Sequence, residues 1–406
     1  MKVSLHTVIL DEKNFNIYSF FEVIDLKFIH TADWHLGKLV HGLYMTEDQR
    51  HMLNQFVELA KVEQPDAIII AGDLYDRSIP PTDAVNLLDE VLYTINVEMN
   101  IPILAVSGNH DSAERLSFGS SWYKQNKFYL NGKIENSLAP IHMLGVNFYL
   151  VPYCEPVTVR EFLGDSSIVN HHDAMKAIIG KMEPQLHQEQ PNILIGHSFV
   201  LGGKTTDSER VLSVGGSGCV GAEVFAPFAY TALGHLHSPD ALNHQTVKYS
   251  GSLMKYSFSE AKQRKSVSII ELDDKGNFTE RFHTFTPKKD MRELVGYMEE
   301  LLDPSFYGKQ KIDDYLKVTL LDEGAILDPI QKLRQVYPNV LHLERRLENM
   351  DKKKKTSLTE QDQKRKTEMD LFMSFYEEMT TAEFTEDKRE MISNVINQVR
   401  REEALK

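Results

Sequence analysis

Short apolar runs recur through the first two thirds of the chain, and each is rich in Ile, Val or Leu. Five of them are Leu26–Thr31, Ala67–Ala71, Ile103–Ser107, Ile193–Gly196 and Tyr230–Gly234. Runs of this length and composition are typical of buried strands in an α/β sheet. Between the first two runs, Met52, Phe56 and Leu59 recur at helical spacing and predict a helix over residues 47–60. We therefore predict an α/β domain over residues 26–287.

A smaller α/β module is predicted over residues 288–346, where helical and strand-like spacings alternate. Helical spacing is found in Leu294, Val295, Met298, Leu301 and Leu302, and again in Ile330, Leu333 and Val336. Strand-like patterns are found in Leu316, Val318 and Leu320 and in the run 340–343.

The remaining segments differ in composition from both predicted domains. Residues 347–367 are highly charged and include the run Lys352–Lys355, so we expect a solvated linker. Residues 368–406 predict two amphipathic helices, the first with an aromatic stripe over residues 371–379. Beyond a charged linker, such a stripe favours a partner-binding face over a core face. Residues 1–25 carry no motif and are assigned only as an N-terminal extension of unknown role.

Composition places the chain among globular proteins of the cytoplasm. With 406 residues, 42% hydrophobic and 26% charged, we expect two or three domains. No apolar run reaches the ~18 residues of a membrane span, and we expect no signal peptide and no membrane association. Cys154 and Cys219 are far apart and have no metal-type spacing, which fits a reducing compartment. The net charge of −14 counts weakly against nucleic-acid binding, because phosphate contacts need Lys and Arg.

Five polar motifs follow directly on the five strand-like runs. They are Asp33-Trp34-His35, Gly72-Asp73-Leu74-Tyr75-Asp76, Gly108-Asn109-His110-Asp111, Gly196-His197 and Gly234-His235-Leu236-His237. In open α/β sheets, ligands bind beyond the carboxyl ends of the strands, so we expect these segments to converge. The glycines ahead of them allow the backbone to turn sharply and to approach closely. Each motif alone is common in ordinary turns, but the set in this order is specific.

The residue types of these motifs predict a site for two metal ions. The seven candidate ligands are Asp33, His35, Asp73, Asn109, His197, His235 and His237. Mixed imidazole and carboxylate ligands suit Mn, Fe or Zn better than Mg or Ca. Seven ligands are too many for one ion, and a bridging aspartate can hold two ions roughly 3.5–4 Å apart. Such a pair polarises phosphoryl oxygens and lowers the pKa of a bridging water, which predicts phosphoester hydrolysis.

The motif order D-x-H, G-D-x-x-D, G-N-H-D, G-H and G-H-x-H resembles that of the calcineurin-like metallophosphoesterase family over about residues 27–250. The resemblance implies an α/β sandwich of mixed β-sheets flanked by helices. It also implies two ligand sets, which are Asp33, His35, Asp73 and His237 for one ion and Asp73, Asn109, His197 and His235 for the other. Asp73 would then bridge the two ions.

The same resemblance implies roles for two further residues. His110 would be the catalytic histidine, which contacts the scissile phosphate and assists the leaving group. Asp76 would supply the carboxylate that orients His110, and such an Asp–His pair fixes the tautomer of the ring.

Longer stretches, some of which include these motifs, resemble one branch of the family, the nuclease subunits of bacterial DNA-repair complexes. These stretches are 28–37, 109–112, 208–218, 232–237 and 249–252. The resemblance implies exonuclease action on double-stranded DNA and endonuclease action on single strands and hairpins, with two divalent ions, preferably Mn²⁺. It implies an SMC-like ATPase as partner and a homodimer within a heterotetramer. Residues 288–346 would form a capping domain that positions DNA, and residues 368–406 would dock on the ATPase.

Two other hypotheses remain open at this point. The same site could act on a small phosphoester or a phosphoprotein, which suits the acidic net charge but leaves the capping module and terminal helices without a role. Alternatively, the chain could be a non-catalytic scaffold for the ATPase. The complete ligand set and the presence of His110 argue against a scaffold.

Overall fold

The computed structural model describes residues 26–209, 218–322, 326–346, 369, 372–373, 376 and 384–404. The contacts within the chain divide it after Arg292 into two compact units. Among the described residues, no helix is both long enough and apolar enough to cross a membrane.

The first unit contains short strands and helices in alternation. Its described strands are β1 Leu26–Thr31, β2 Leu39–Val40, β3 Leu43–Tyr44, β4 Ala67–Ala71, β5 Ile103–Val106, β6 Phe128–Asn131, β7 Ile141–Met143, β8 Val146–Val151, β9 Asn192–His197, β10 Phe199–Val200, β11 Cys219–Val220, β12 Tyr230–Gly234, β13 Val247–Tyr249, β14 Ser266–Leu272 and β15 Phe278–Thr284. Its described α-helices are α1 Thr46–Glu63, α2 Thr82–Tyr93, α3 Ala113–Leu116, α4 Ser120–Tyr123, α5 Pro156–Leu163 and α6 His171–Met182.

Two mixed sheets form the framework of this unit. The first has the order β15-β14-β1-β4-β5-β6, in which β1, β4, β5 and β6 are parallel and β14 is antiparallel to both of its neighbours. The second has the order β13-β12-β9-β8-β7, in which only β7 is antiparallel. Parallel strands need long crossover connections. Helix α1 lies in the connection from β1 to β4, α2 in that from β4 to β5, and α5 and α6 in that from β8 to β9.

One hydrophobic core lies between the two sheets. Phe28 and Ile69 of the first sheet belong to the same buried cluster as Phe148 and Ile195 of the second. The rings of Phe28 and Tyr230 meet edge to face across the core, with centroids 5.4 Å apart. A second cluster packs helix α6 against β8, β9 and β12. The predicted α/β sandwich of mixed sheets with flanking helices is therefore confirmed.

The local predictions for this unit agree closely with the structure. All five predicted strands are present, although β5 ends at Val106 and β9 extends from Asn192 to His197. The predicted helix over residues 47–60 is the central part of α1. Because β1, β4 and β5 are parallel neighbours, their carboxyl ends lie at one edge of the first sheet.

The second unit contains a three-stranded sheet of order β16-β17-β18. Its described elements are β16 Met291–Gly296, α7 Met298–Leu301, α8 Pro304–Tyr307, β17 Tyr315–Leu320, α9 Pro329–Arg334, β18 Val340–Arg345 and α10 Glu386–Ala404. Its core is formed around Leu301, Leu316, Val318, Leu333 and Tyr337, which are all at most 1% exposed. The strands predicted at 316–320 and 340–343 are confirmed. The helix predicted around Ile330 and Leu333 is present as α9, but it ends at Arg334, before Val336.

One prediction for the second unit is wrong. Leu294 and Val295 lie in strand β16, and the helix begins only at Met298. Leu294 is buried and Val295 is exposed, as expected of adjacent residues in a strand. Gly296 interrupts the apolar run and disfavours a continuous helix through it.

The terminal segment is described only in part. Met391, Ile392 and Val395 lie in α10, as the amphipathic pattern predicts. In the preceding segment the ring of Tyr376 packs against that of Phe384, with centroids 5.1 Å apart. Leu371 and the predicted linker 347–367 lie outside the described residues, as does the extension 1–25.

Candidate metal centre

The five polar motifs meet where the carboxyl ends of both sheets come together. His197, at the end of β9, lies with its Nδ1 2.9 Å from the main-chain oxygen of Ala71, at the end of β4. The backbone N–H of His235, after β12, donates to the carboxylate of Asp33, after β1, at 3.0 Å. The two sheets are thus joined through the predicted ligands themselves.

Two groups of potential ligands share the carboxylate of Asp73. In the first group, the Nε2 atoms of His35 and His237 are 3.0 Å apart, and Asp73 Oδ2 is 3.6 Å from His35 Nε2. Asp33 offers an oxygen within 4.8 Å of ligand nitrogens on both histidines. Asp73 Oδ2 is therefore within reach of the first group.

In the second group, Asn109 Oδ1 lies 2.9 Å from His197 Nε2 and 3.1 Å from His235 Nδ1. Asp73 Oδ2 is 3.5 Å from His197 Nε2, so the same oxygen faces both groups. The structure therefore brings all seven predicted ligand residues together, with Asp73 between them.

The electrostatics of the cluster fit bound cations. Burial, reinforced by the nearby Asp73 carboxylate, raises the pKa of Asp33 well above its usual range. Burial lowers the pKa values of His35 and His235 well below their usual range and also lowers that of His197. Neutral imidazoles with free lone pairs beside buried carboxylates form a donor set that a divalent metal ion stabilises. The residues present therefore fit a divalent metal site.

Close backbone packing makes this convergence possible. A Cβ atom on Gly108 would lie 2.1 Å from Asp73 Oδ1, so only glycine fits there. Asp33, His35 and Asp73 adopt left-handed backbone conformations, with φ of 53°, 45° and 51°. Non-glycine residues adopt such conformations at a cost, and they are concentrated at functional sites.

Hydrogen bonds between the loops hold these strained residues in place. The backbone N–H groups of Asp33 and His35 donate to the main-chain oxygens of Gly72 and Asp73, at 3.1 and 2.9 Å. The loops after β1 and β4 therefore remain paired beyond the ends of their strands, which fixes the two ligand loops relative to each other.

His110 lies beside the cluster, half-buried, and its contact with Asp76 differs from the one expected. The ring Nδ1 of His110 is 2.8 Å from the main-chain oxygen of Asp76, and not from its carboxylate. That carboxylate instead accepts from the Lys38 ammonium at 2.7 Å. The expected hydrogen bond between the Asp76 carboxylate and His110 is therefore not formed, because the carboxylate is hydrogen-bonded to Lys38. A carbonyl can only accept, so Nδ1 of His110 carries the hydrogen of this contact.

Asp111 has a structural role that the sequence did not reveal. Its half-buried carboxylate accepts from the backbone N–H groups of Leu74, Tyr75 and Gly108, at 3.1, 2.9 and 2.9 Å. It thereby ties the loop after β4 to the loop after β5. Burial, followed by the charge of Asp73, raises the pKa of Asp111 to about 7. The position of Asp111 in the G-N-H-D motif was the sequence feature that could have indicated this role.

Gln49 of helix α1 supports the first motif in a similar way. Its buried side-chain amide donates to the main-chain oxygens of His35 and Trp34, at 2.7 and 3.1 Å, and its oxygen accepts from Gly37 at 3.0 Å. Nothing in the local pattern indicates this role, because a polar residue on a helix is usually solvated.

Comparisons with known proteins agree with this geometry. Residues 26–239 match the family profile described as calcineurin-like phosphoesterase, and residues 287–380 match SbcD_C, described as type 5 capsule protein repressor C-terminal domain. The chain is similar to the SbcD subunit of nuclease SbcCD from Staphylococcus epidermidis. The two are 36% identical over 372 residues, which cover 92% of this chain and 98% of the relative.

Two solved structures are more distantly similar. One is a Thermus thermophilus protein, 15% identical with a TM-score of 0.38, covering 64% of this chain and 99% of its own. The other is a dimetal phosphatase from Danio rerio, 12% identical with a TM-score of 0.38, covering 65% of this chain and 100% of its own.

The shared position of Asp73 yields a first prediction. Asp73→Ala is expected to lose both bound ions, because one carboxylate oxygen faces both ligand groups. Metal content after equilibrium dialysis against Mn²⁺ would measure this loss. Asp240→Ala serves as control, since that side chain is 72% exposed and belongs to neither ligand group. Two ions retained by Asp73→Ala would contradict the bridging position.

Proposed function

Because the chain belongs to the calcineurin-like phosphoesterase family, in the branch of the SbcD nuclease subunits, we propose that it hydrolyses DNA phosphodiesters with two divalent metal ions. The observation that carries this proposal is the convergence of seven metal-binding side chains around the shared Asp73 carboxylate. We expect double-strand exonuclease action and endonuclease action on single strands and hairpins. The partner would be the SMC-like ATPase SbcC, and the cellular role DNA repair and recombination.

The ligand chemistry supports two ions, with Mn²⁺ as the expected metal. Imidazole nitrogens and carboxylate or amide oxygens occur together in both groups, and such mixed sets suit Mn better than Mg or Ca. When bound, the pair of ions would polarise the phosphoryl oxygens and lower the pKa of a water molecule. Asp73 would hold the two positions at a fixed spacing.

The residues around this centre have distinct proposed roles. His110 donates its backbone N–H to Asp73 Oδ1 at 2.9 Å, so its main chain is fixed to the bridging ligand. With Nδ1 held by the Asp76 carbonyl, the Nε2 side of the ring is left to contact the phosphate and the leaving oxygen. The Asp76 carboxylate is paired with Lys38, so in this proposal it does not orient the ring of His110 directly.

The second unit and the terminal helix support the proposed complex. We propose that residues 288–346 form the capping domain that positions DNA. Met391 and Val395 of α10 are 66% and 52% exposed, an apolar face that suits docking on the ATPase. We also propose a homodimer within a heterotetramer. The exposed neighbouring rings of Phe118 and Trp122, with centroids 6.2 Å apart, offer an apolar surface for such a contact.

A second candidate function is hydrolysis of small phosphoesters or phosphoproteins, which the net charge of −14 favours. Cleavage of an end-labelled hairpin duplex with Mn²⁺, with and without the ATPase and ATP, separates the two hypotheses when a chromogenic phosphodiester is assayed in parallel. DNA cleavage that increases with partner and ATP is the expected result. Turnover of the small ester without any DNA cleavage would favour the second candidate. Metal binding without turnover of either would indicate a scaffold.

A second prediction concerns His110. His110→Ala is expected to keep both ions but to lose roughly 10²–10⁴-fold in turnover, because the residue acts on the phosphate and not on the metal. Mn²⁺ content and DNA cleavage should be measured on the same preparation. His142→Ala is a suitable control, since His142 lies on β7 and contacts Asn147. Metal loss in proportion to the loss of activity would refute this assignment.

A third prediction concerns the terminal helices. Truncation after Thr367 is expected to leave intrinsic nuclease activity but to abolish co-elution with the ATPase. In the full-length chain, Met391→Glu with Val395→Glu should weaken the same complex, because charges on the exposed face of α10 oppose apolar docking. Normal complex formation by both variants would exclude the docking role.

A further inference from the structure

A chain of buried and half-buried polar groups lies behind the ring of His237. Its Nδ1 is 2.7 Å from Ser208 Oγ, and this hydroxyl donates in turn to Glu260 Oε1. Glu260 Oε1 itself is 3.4 Å from His237 Nδ1. Glu260 is 0% exposed, so its carboxylate obtains no stabilisation from solvent.

A lysine occupies the other oxygen of this carboxylate. Lys265 Nζ lies 2.6 Å from Glu260 Oε2 and also donates to the main-chain oxygen of His237 at 2.7 Å. The positive charge of the Lys265 ammonium compensates the negative charge of the Glu260 carboxylate in this buried position. An ion pair buried in this way costs desolvation energy, which a hydrophobic pair of similar size would avoid.

The polar contacts determine which ring nitrogen of His237 carries the proton. An ionised carboxylate can only accept, so the contact between Ser208 Oγ and Glu260 Oε1 takes the single hydroxyl hydrogen of Ser208. The Thr206 hydroxyl, 3.0 Å from Ser208 Oγ, is then a donor to Ser208 and not an acceptor from it. Ser208 Oγ is then left to accept a hydrogen bond from Nδ1–H of His237. The lone pair of the ring is consequently on Nε2, the atom that lies 3.0 Å from His35 Nε2 in the metal cluster.

We propose that Glu260, acting through Ser208 and held in place by Lys265, is a positioning residue that presents His237 Nε2 to one of the two metal ions. This inference rests on the proposed two-metal site. A carboxylate behind a metal-bound imidazole fixes the ring and increases its basicity. His197, a ligand candidate of the other group, has its Nδ1 2.9 Å from the main-chain oxygen of Ala71 and does not contact Glu260 among the described contacts. The effect of Glu260 should therefore be confined to the ion that His237 binds.

The test is Mn²⁺ titration of the full-length protein by calorimetry, with electron paramagnetic resonance to count bound ions. Ser208→Ala and Glu260→Gln are each expected to weaken one of the two ions by about 10–100-fold and to leave the other unchanged. Ser208→Thr restores the hydroxyl and should bind both ions as the wild type does. Thermal unfolding of the metal-free variants shows whether they are folded.

Glu280→Gln is a matched control. Glu280 also accepts from a serine, Ser268 at 2.8 Å, and pairs with a lysine, Lys248 at 3.2 Å, but it contacts none of the candidate ligands. This variant should bind Mn²⁺ as the wild type does.

Unchanged affinity for both ions in folded Ser208→Ala and Glu260→Gln would overturn the inference, as would Ser208→Thr binding as weakly as Ser208→Ala. If Glu260→Gln does not fold, the comparison of Ser208→Ala with Ser208→Thr tests the inference alone. Both variants are expected to fold, because Ser208 is only half-buried in a loop. A wild type that binds no Mn²⁺ would instead refute the two-metal site of the proposed function. The two failures are therefore distinguishable.

Discussion

Two carboxylates that share a buried position impose the main constraint on this structure. Asp33 and Asp73 are 0% and 2% exposed, and burial together with Asp73 raises the pKa of Asp33. Such a pair is unstable without positive charge, and no ammonium or guanidinium group contacts either carboxylate among the described residues. Cations bound between the neighbouring imidazoles would offset this cost. Most of the local architecture keeps these two side chains at a fixed separation.

The two sheets provide the rigidity that this constraint requires. Left-handed backbone at Asp33, His35 and Asp73 costs energy, and it persists because hydrogen bonds between the loops over-determine it. Further supports come from elsewhere in the first unit, through Gln49 of α1 below the first motif and Asp111 between the second and third. Ligands supported in this way need little reorganisation when a metal ion binds, which is the condition for a preorganised site.

The sequence was sufficient for the strands and for the meeting of the motifs, because apolar runs and strand-end positions are local signals. It was not sufficient where a contact depends on which atom of a residue faces the site. Asp76 was expected to orient His110 through its carboxylate. That carboxylate is instead hydrogen-bonded to Lys38, and His110 contacts the main-chain oxygen of Asp76. The helix expected at Leu294 failed for a related reason, since pairing with β17 overrides short-range spacing. Glu260 and Lys265 were missed because their link to His237 is a tertiary contact without periodicity.

The acidic net charge has little bearing on the substrate once the positions of the carboxylates are known. Asp33, Asp73, Asp111 and Glu260 contribute to the excess of 59 acidic over 45 basic residues. All four lie around the metal cluster, where Asp111 is half-buried and the other three are at most 2% exposed. Two divalent ions would add four positive charges at the place where a phosphate must bind, and bound ions are often the largest local charges in a site. A phosphodiester approaching this edge of the sheets would therefore meet a cationic centre within an acidic protein. For the same reason, the salt dependence of phosphodiester binding to the metal-loaded site would depend more on the metal ions than on the number of Lys and Arg residues in the chain.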